Sequence, residues 1–165
     1  AAGIHFRVTV RDDVLRPARD AQEAKTAYGF DCVELFVDCR PAEIRGSPYY
    51  SAGAVQFIVV PRDGVREAPC PVQPFGNDAS PVTVTCLGMR TDGGYVVEGT
   101  LKPVDGGPLR LEAGSRINLD FAVDDNDDQP GRPPLGRRVQ MALHGRADNC
   151  NNPSAWGRYA LQPLR

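Results

Sequence analysis

Residues 115–124 read Ser-Arg-Ile-Asn-Leu-Asp-Phe-Ala-Val-Asp, and their pattern gives the clearest indication of the fold class. Its apolar positions alternate with polar ones, namely Ile117, Leu119, Phe121 and Val123 against Asn118, Asp120 and Asp124. A period of two residues is typical of a β-strand that turns one face toward a core. The stretch therefore predicts a core strand.

Strand-like segments recur on both sides of this stretch, at residues 4–11, 32–38, 54–60, 82–86, 94–103, 139–144 and 155–163. Asp92-Gly93-Gly94 predicts a hairpin turn, and residues 18–27 predict a single minor helical turn. The sequence of residues 62–80 predicts a long loop. A disulfide between Cys70 and Cys86 is a candidate to anchor this loop. About eight strands, with 17 glycines and 15 prolines in the chain, indicate an all-β antiparallel sandwich or jelly roll. We expect one domain over residues 1–165.

Composition narrows the class of partner. The chain has 19 basic and 21 acidic residues, a formal net charge of −2, which gives no basic footprint for nucleic acid or an anionic membrane. No apolar run approaches the roughly 20 residues of a membrane-spanning helix. Five cysteines without a C-x-x-C pair argue against a structural zinc site and favour an oxidising compartment. Because the sequence opens almost directly on a strand, we expect a mature or excised part of a larger chain.

Catalytic signatures are missing from the sequence. It has no G-x-S-x-G elbow, no H-E-x-x-H and no nucleotide-binding glycine loop. Glu34 with Asp38, or Glu34 with Glu98, would supply the two carboxylates of a glycosidase. The alternative is an ordinary solvated strand face, which we prefer, so no catalytic residue is predicted.

The acidic run at residues 124–128 is the densest polar feature. It begins like an EF-hand loop but has Gln129 where that loop needs Gly and Leu135 where it needs Glu. Oxygen ligands in a turn still suit one calcium ion, and an Asx-rich turn that caps its own backbone is the alternative. The candidate metal ligands are Asp124, Asp125 and Asp127.

Trp156 is the only tryptophan, and strand parity predicts that it faces outward together with Arg158. An exposed indole suits stacking on a sugar ring, while neighbouring polar groups bond the hydroxyls. Packing under a loop is the alternative for Trp156. The same parity places further planar or charged side chains on polar strand faces, namely Arg7, Glu34, Gln56, Glu98, Asn118, Asp120 and Gln140. If these faces belong to one sheet, they line a groove suited to polyols.

The order of the segments resembles that of the family 9 carbohydrate-binding modules, which belong to the DOMON-like β-sandwiches. The matching segments are Val-Arg-Asp-Asp at 10–13, Phe-Asp-Cys-Val-Glu-Leu-Phe-Val-Asp at 30–38, Val-Gln-Phe at 55–57, Gly-Tyr-Val-Val-Glu at 94–98, residues 117–127, and residues 153–161 with Trp156-Gly157. The resemblance covers nearly the whole chain.

The resemblance implies a non-catalytic sandwich that binds sugars or glycan ends and carries structural calcium. It also implies a secreted or periplasmic module beside the other domains of a parent enzyme such as a glycoside hydrolase. The residues that match a sugar site are Tyr28 and Trp156 as an aromatic clamp, with Glu34 and Asn152 as hydroxyl partners. Arg158 is added to this candidate sugar site because strand parity places it on the same outward face as Trp156.

Two other functions stay open at this point. A DOMON-type haem or redox domain would ligate iron through Met89, Met141 or His144. A structural or interaction domain would stabilise a larger extracellular enzyme without contacting sugar.

Overall fold

The computed structural model describes residues 3–75, 80–107, 109–127, 139–145 and 148–162. Within these ranges it has ten strands: β1 Ile4–Arg11, β2 Cys32–Asp38, β3 Ala54–Val59, β4 Ala68–Pro69, β5 Val72–Phe75, β6 Val82–Thr91, β7 Gly94–Pro103, β8 Arg116–Asp125, β9 Val139–Ala142 and β10 Gly157–Ala160. Helical structure is limited to α1 Ala21–Ala24 and two 3₁₀ turns, Ala27–Gly29 and Pro153–Ala155. No described helix is long and apolar enough to cross a membrane.

The strands form two antiparallel sheets. The four-stranded sheet has the order β1-β7-β6-β4, and the six-stranded sheet has the order β10-β8-β2-β3-β5 with β9 also paired to β8. The first half of strand β8 pairs with β10, and its second half pairs with β9. The predicted all-β antiparallel sandwich is confirmed, and residues 115–124 supply nearly all of strand β8, which lies between β2 on one side and β9 and β10 on the other.

The core lies between the sheets, where the inward positions of the alternating strands meet. One cluster joins Leu35, Val37 and Phe57 of the six-stranded sheet with Leu101 of β7. A second cluster joins Val33 and Val59 with Tyr95 and Val97. Parity thus predicted the inner faces of β2, β7 and β8 correctly.

The outer face of the six-stranded sheet is also covered, and this was not predicted. All seven residues of β2 are buried, including Glu34 and Asp38, so the expected solvated strand face is wrong. Residues 39–53 lie over this face because Arg40 is tied to Asp38. The segment that carries Asn149 and Trp156 covers the region around Phe36 and Asp120.

The segment 62–80 contains two short strands that lacked a periodic signal, β4 and β5. Cys70 donates its backbone N–H to the Cys86 carbonyl oxygen at 2.9 Å, so the two residues are neighbours across β4 and β6. Both are free thiols, and the predicted disulfide is not formed. Burial raises the pKa of Cys70 to about 11 and that of Cys86 to about 12, which disfavours the thiolate that disulfide formation requires.

The hairpin between β6 and β7 was predicted correctly and provides a stability test. Gly94 has φ +139°, and a Cβ there would lie 2.0 Å from the Val10 carbonyl oxygen, whereas a Cβ at Gly93 would meet nothing within 4 Å. Gly94→Ala should lower the free energy of unfolding by at least about 2 kcal/mol through strain and backbone displacement. Gly93→Ala should change it by less than about 0.5 kcal/mol. Urea unfolding checks both variants, and equal losses would contradict this explanation.

Candidate functional site

Polar side chains gather on the outer face of the six-stranded sheet. Strand register places several of the predicted groups there, since directly opposed residues share a face: Phe36 with Gln56 and Asp120, Asp38 with Asn118, Asp124 with Gln140, and Asn118 with Arg158. Arg7 and Glu98 instead pair with each other on the four-stranded sheet. Six of the eight predicted polar-face residues therefore lie on one face.

Glu34 lies near the middle of this face with no exposed surface. The Gln140 side-chain amide donates a hydrogen bond to Glu34 Oε2 at 2.9 Å. Tyr50 is close enough for the Glu34 charge to affect it: burial is the main cause that raises the pKa of Tyr50, and Cys150 and Glu34 raise it further. Tyr50 therefore stays a protonated hydroxyl within reach of the Glu34 charge.

The Tyr50 hydroxyl oxygen is buried and has no hydrogen-bond partner in the described structure. Buried tyrosine hydroxyls normally find a partner, and an unmet one costs roughly 1–3 kcal/mol. Sequence reasoning missed Tyr50 because it lies in residues 39–53, where no periodic pattern marks its direction. Only its proximity to β2 in the folded structure identifies Tyr50, and the sequence carries no local signal of that proximity.

Trp156 does not face solvent, so the outward orientation predicted for it is wrong. Its side chain is 2% exposed, and its ring packs at 5.3 Å from Phe36 and 5.7 Å from Tyr50, between ring centroids. The indole N–H donates to the Asn149 carbonyl oxygen at 3.0 Å. Trp156 precedes β10 rather than lying in it, so strand parity did not apply, and the alternative of packing under a loop is correct.

The predicted aromatic clamp is not formed. Tyr28 is 45% exposed and lies in the 3₁₀ turn Ala27–Gly29. Ala27 of the same turn packs with Cys32 at the start of β2. Trp156 packs over Phe36, four residues further along, and four strand residues span about 13 Å. Tyr28 therefore lies at the rim, at the end of β2 nearest Cys32, while Trp156 supports the middle of the face.

Asn152 and Arg158 have different surroundings. The Asn152 carboxamide caps the second 3₁₀ turn, where its oxygen accepts from the Ser154 backbone N–H at 3.1 Å and its nitrogen donates to Asp148 at 3.1 Å. Arg158 is exposed and lies opposite Asn118, at the end of the face farthest from Tyr28.

The structure separates the three predicted metal ligands. Asp124 and Asp125 are adjacent in β8 and point to opposite faces, and Asp127 lies beyond the end of that strand. Buried Asp124 lies with Cys32 and Glu34, whose ligand atoms are all within 4.8 Å of one another. Asp127 instead meets Asp12 and Asp13 at the end of β1, with the same limit on distances. Burial is the main cause that raises the pKa of Asp31 to about 6, and the charge of Asp125 raises it further.

The carboxylates proposed as a catalytic pair are not arranged for glycoside hydrolysis. Glu98 lies in the other sheet from Glu34. Asp38 is four residues from Glu34 along β2, about 13 Å, beyond the separations that retaining or inverting enzymes use. Asp38 is also held by Arg40 through two hydrogen bonds of 2.8 Å.

The candidate haem ligands are distributed over both layers. Met89 belongs to β6 in the four-stranded sheet and Met141 to β9 in the six-stranded sheet. His144 contacts Asp120 at 3.5 Å and stacks edge-on against Tyr159.

Comparison with known proteins agrees with this architecture. A family model described as "Carbohydrate family 9 binding domain-like" matches residues 1–164. A solved carbohydrate binding module family 9 (CBM9) from Caldicellulosiruptor kristjanssonii, in complex with cellotriose, superposes with a TM-score of 0.71 at 16% identity, over 99% of this chain and 71% of that one. A second structure of a CBM9 from that organism, in complex with glucose, gives a TM-score of 0.69 at 17% identity, over 99% and 72%. No curated protein matches the chain.

The sandwich, its polar outer face and the family match together define a non-catalytic carbohydrate-binding module. The chain belongs to the carbohydrate family 9 binding domain-like family.

The packing of Trp156 yields a stability prediction. Trp156→Ala should lower the free energy of unfolding by about 3–5 kcal/mol, because it leaves a cavity between Phe36 and Tyr50. Tyr49→Ala is the control, since Tyr49 is 77% exposed and surface truncation usually changes stability by less than about 0.5 kcal/mol. Urea unfolding distinguishes them. A Trp156→Ala loss as small as that of Tyr49→Ala would show that the indole is not a core group.

Proposed function

We propose that this domain binds sugar at the part of the outer face where Tyr50, Glu34 and Gln140 meet, with Tyr28 at the rim. The unpartnered Tyr50 hydroxyl carries the proposal. It lies near enough to the buried Glu34 carboxylate for that charge to affect it, and Glu34 in turn accepts a hydrogen bond from the Gln140 amide. A hydroxyl-rich ligand would give the Tyr50 hydroxyl a partner. Sugar hydroxyls both donate and accept, which suits this mixture of groups.

The aromatic residues have separate roles in this proposal. Exposed Tyr28 presents a ring on which the C–H face of a sugar can pack, whereas Trp156 holds Tyr50 in place from below. Because the Tyr50 hydroxyl is buried, sugar contact requires part of the covering segments to move aside. Asn152 contributes by fixing the turn that leads into Trp156.

We propose calcium as a structural ion, held by Asp12, Asp13 and Asp127. Their carboxylate oxygens lie within 4.8 Å of one another, a spacing that one ion with ligand distances of 2.3–2.6 Å can bridge. The group of Cys32, Glu34 and Asp124 fits calcium poorly, since it includes a thiol and calcium prefers oxygen ligands. This set retains only Asp127 of the three ligands predicted from the sequence.

We further propose that the module serves a larger secreted or periplasmic enzyme that acts on carbohydrate, such as a glycoside hydrolase. The family membership supports this role. The module would then hold a neighbouring catalytic domain near its substrate.

Tyr50→Phe tests the sugar site without removing the ring that Trp156 packs against. The variant should lower affinity for cellotriose about fivefold to tenfold, because the ligand loses a hydrogen bond, and it should unfold no more easily than the wild type. Tyr95→Phe is the matched control: it removes another buried, unpartnered hydroxyl, but one in the core between the sheets. Isothermal titration calorimetry should show unchanged affinity for that control. Equal affinities for all three proteins would refute this site.

Calcium is tested by thermal unfolding in excess calcium and in a chelator. Ligand at one hundred times its dissociation constant stabilises the folded state by about 2.7 kcal/mol, so the melting temperature should rise with calcium. Asp127→Asn should abolish the rise, and Asp63→Asn, at an exposed loop position, should keep it. Identical melting curves in calcium and chelator would eliminate the ion.

A further inference from the structure

A concave region lies on the outer face of the six-stranded sheet, at the end opposite Tyr28. Its volume is about 340 Å³, and its described lining includes Arg45, Arg116, Asn118, Arg158 and Tyr159. We call this region the arginine pocket. Three guanidinium groups and no acidic side chain border it among the described lining residues, although the whole chain has a net charge of −2.

The strands bring the arginines together. Arg158 lies directly opposite Asn118, and Arg116 lies opposite Ala160, two residues from Arg158 on β10. Residues two apart on a strand share a face, so Arg116, Asn118 and Arg158 all point outward, and such diagonal neighbours are within reach of long side chains.

Arg45 reaches the pocket from the covering segment 39–53 and is held in place there. Its Nε donates to the Arg40 carbonyl oxygen at 2.9 Å, and its Nη1 donates to the Arg116 carbonyl oxygen at 2.7 Å. Two backbone carbonyls thus fix the guanidinium plane, yet neither of them cancels its positive charge.

The other two arginines are not neutralised either. Within the described chain, neither the Arg116 nor the Arg158 side chain joins a hydrogen bond or salt bridge. The nearby Asp38 carboxylate is already engaged on both oxygens by Arg40. Among the residues that the structure describes, the positive charge at this end of the sheet therefore has no partner.

Asn118 provides a second, independent observation. Its side chain is 4% exposed, it lines the pocket, and its carboxamide has no hydrogen bond within the described chain. A Cβ built at Gly46 would lie 3.4 Å from both Asn118 Nδ2 and Arg158 Nη2, so these two donors border the same space. The Asn118 carboxamide therefore opens onto the pocket, where a ligand oxygen would accept a hydrogen bond from it.

We propose that the arginine pocket binds an oxyanion, a carboxylate or sulfate group, carried by the sugar ligand. Arginine forks match the geometry of such groups, and the charge-assisted hydrogen bonds they form are stronger than neutral ones. This inference rests on the proposed sugar-binding function and makes acidic glycans its preferred substrate class.

The test uses three probes that differ only in the substituent at C6: a neutral cello-oligosaccharide, the same oligosaccharide oxidised to carboxylates at C6, and the same oligosaccharide sulfated at C6. The wild-type domain should bind at least one charged probe about tenfold more tightly than the neutral probe by calorimetry. That preference should shrink as sodium chloride is raised, because salt screens exposed charges. The carboxylate and sulfate arms show which group the pocket prefers.

The double variant Arg116→Gln and Arg158→Gln should lose the tenfold preference and keep its affinity for the neutral probe. Both residues are exposed, so the fold should persist, and an unchanged melting temperature verifies this. Arg66→Gln, at an exposed arginine outside the pocket, is the control and should behave as the wild type.

The outcomes separate this inference from the function on which it rests. If Tyr50→Phe weakens all probes while the double variant weakens none, the sugar site stands and the oxyanion pocket is refuted. If the double variant weakens only charged probes, the pocket is supported. Equal wild-type affinity for charged and neutral probes, or no binding of any probe, overturns the pocket.

Discussion

The buried ion pair between Asp38 and Arg40 is the constraint on which the functional face depends. Both side chains are almost wholly buried, and Arg40 also donates to the backbone carbonyl oxygens of Ser47 and Tyr49. Asp38 accepts the Gly46 N–H as well, at 2.8 Å. These bonds attach residues 39–53 to the end of β2. Removing one partner of such a pair leaves an uncompensated buried charge, which costs about 3–5 kcal/mol.

Because residues 39–53 are attached in this way, the two ends of the outer face carry different side chains. The covering segment delivers Tyr50 to the region of Glu34 and Gln140, and it delivers Arg45 to the arginine pocket. The middle of the face is closed by Trp156 over Phe36. A sheet face that would otherwise be solvated is thereby converted into a buried polar layer. We propose that ligand recognition occurs where that layer has donors without a partner among the described residues.

Residues with a strict period of two could be predicted from the sequence, and the structure follows them closely. Strand β8, the inner faces of β2 and β7, and the hairpin at Gly93-Gly94 all arise from local alternation and turn chemistry. Parity also predicted that Glu34, Asn118, Asp120 and Gln140 lie on polar strand faces, because parity is a local property. The assignment to one sheet required the register.

The features that escaped prediction are tertiary. Trp156 was assigned an outward direction by extending strand parity beyond β10, but the residue belongs to the loop that covers the face. Asp124 and Asp127 were grouped because they are close in sequence, whereas strand alternation and the end of β8 send them to different neighbours. Tyr50 and Arg45 lie in an aperiodic segment whose position is set by Arg40, so no local pattern could indicate their roles.

We propose that sugar recognition occurs on the covered outer face of the six-stranded sheet. The most direct test is a backbone amide NMR titration of the domain with cellotriose. We expect chemical shifts to change around Tyr28, Glu34, Tyr50 and Gln140, while the shifts of amides on β6 and β1 of the four-stranded sheet stay the same. Shift changes confined to the four-stranded sheet would contradict it.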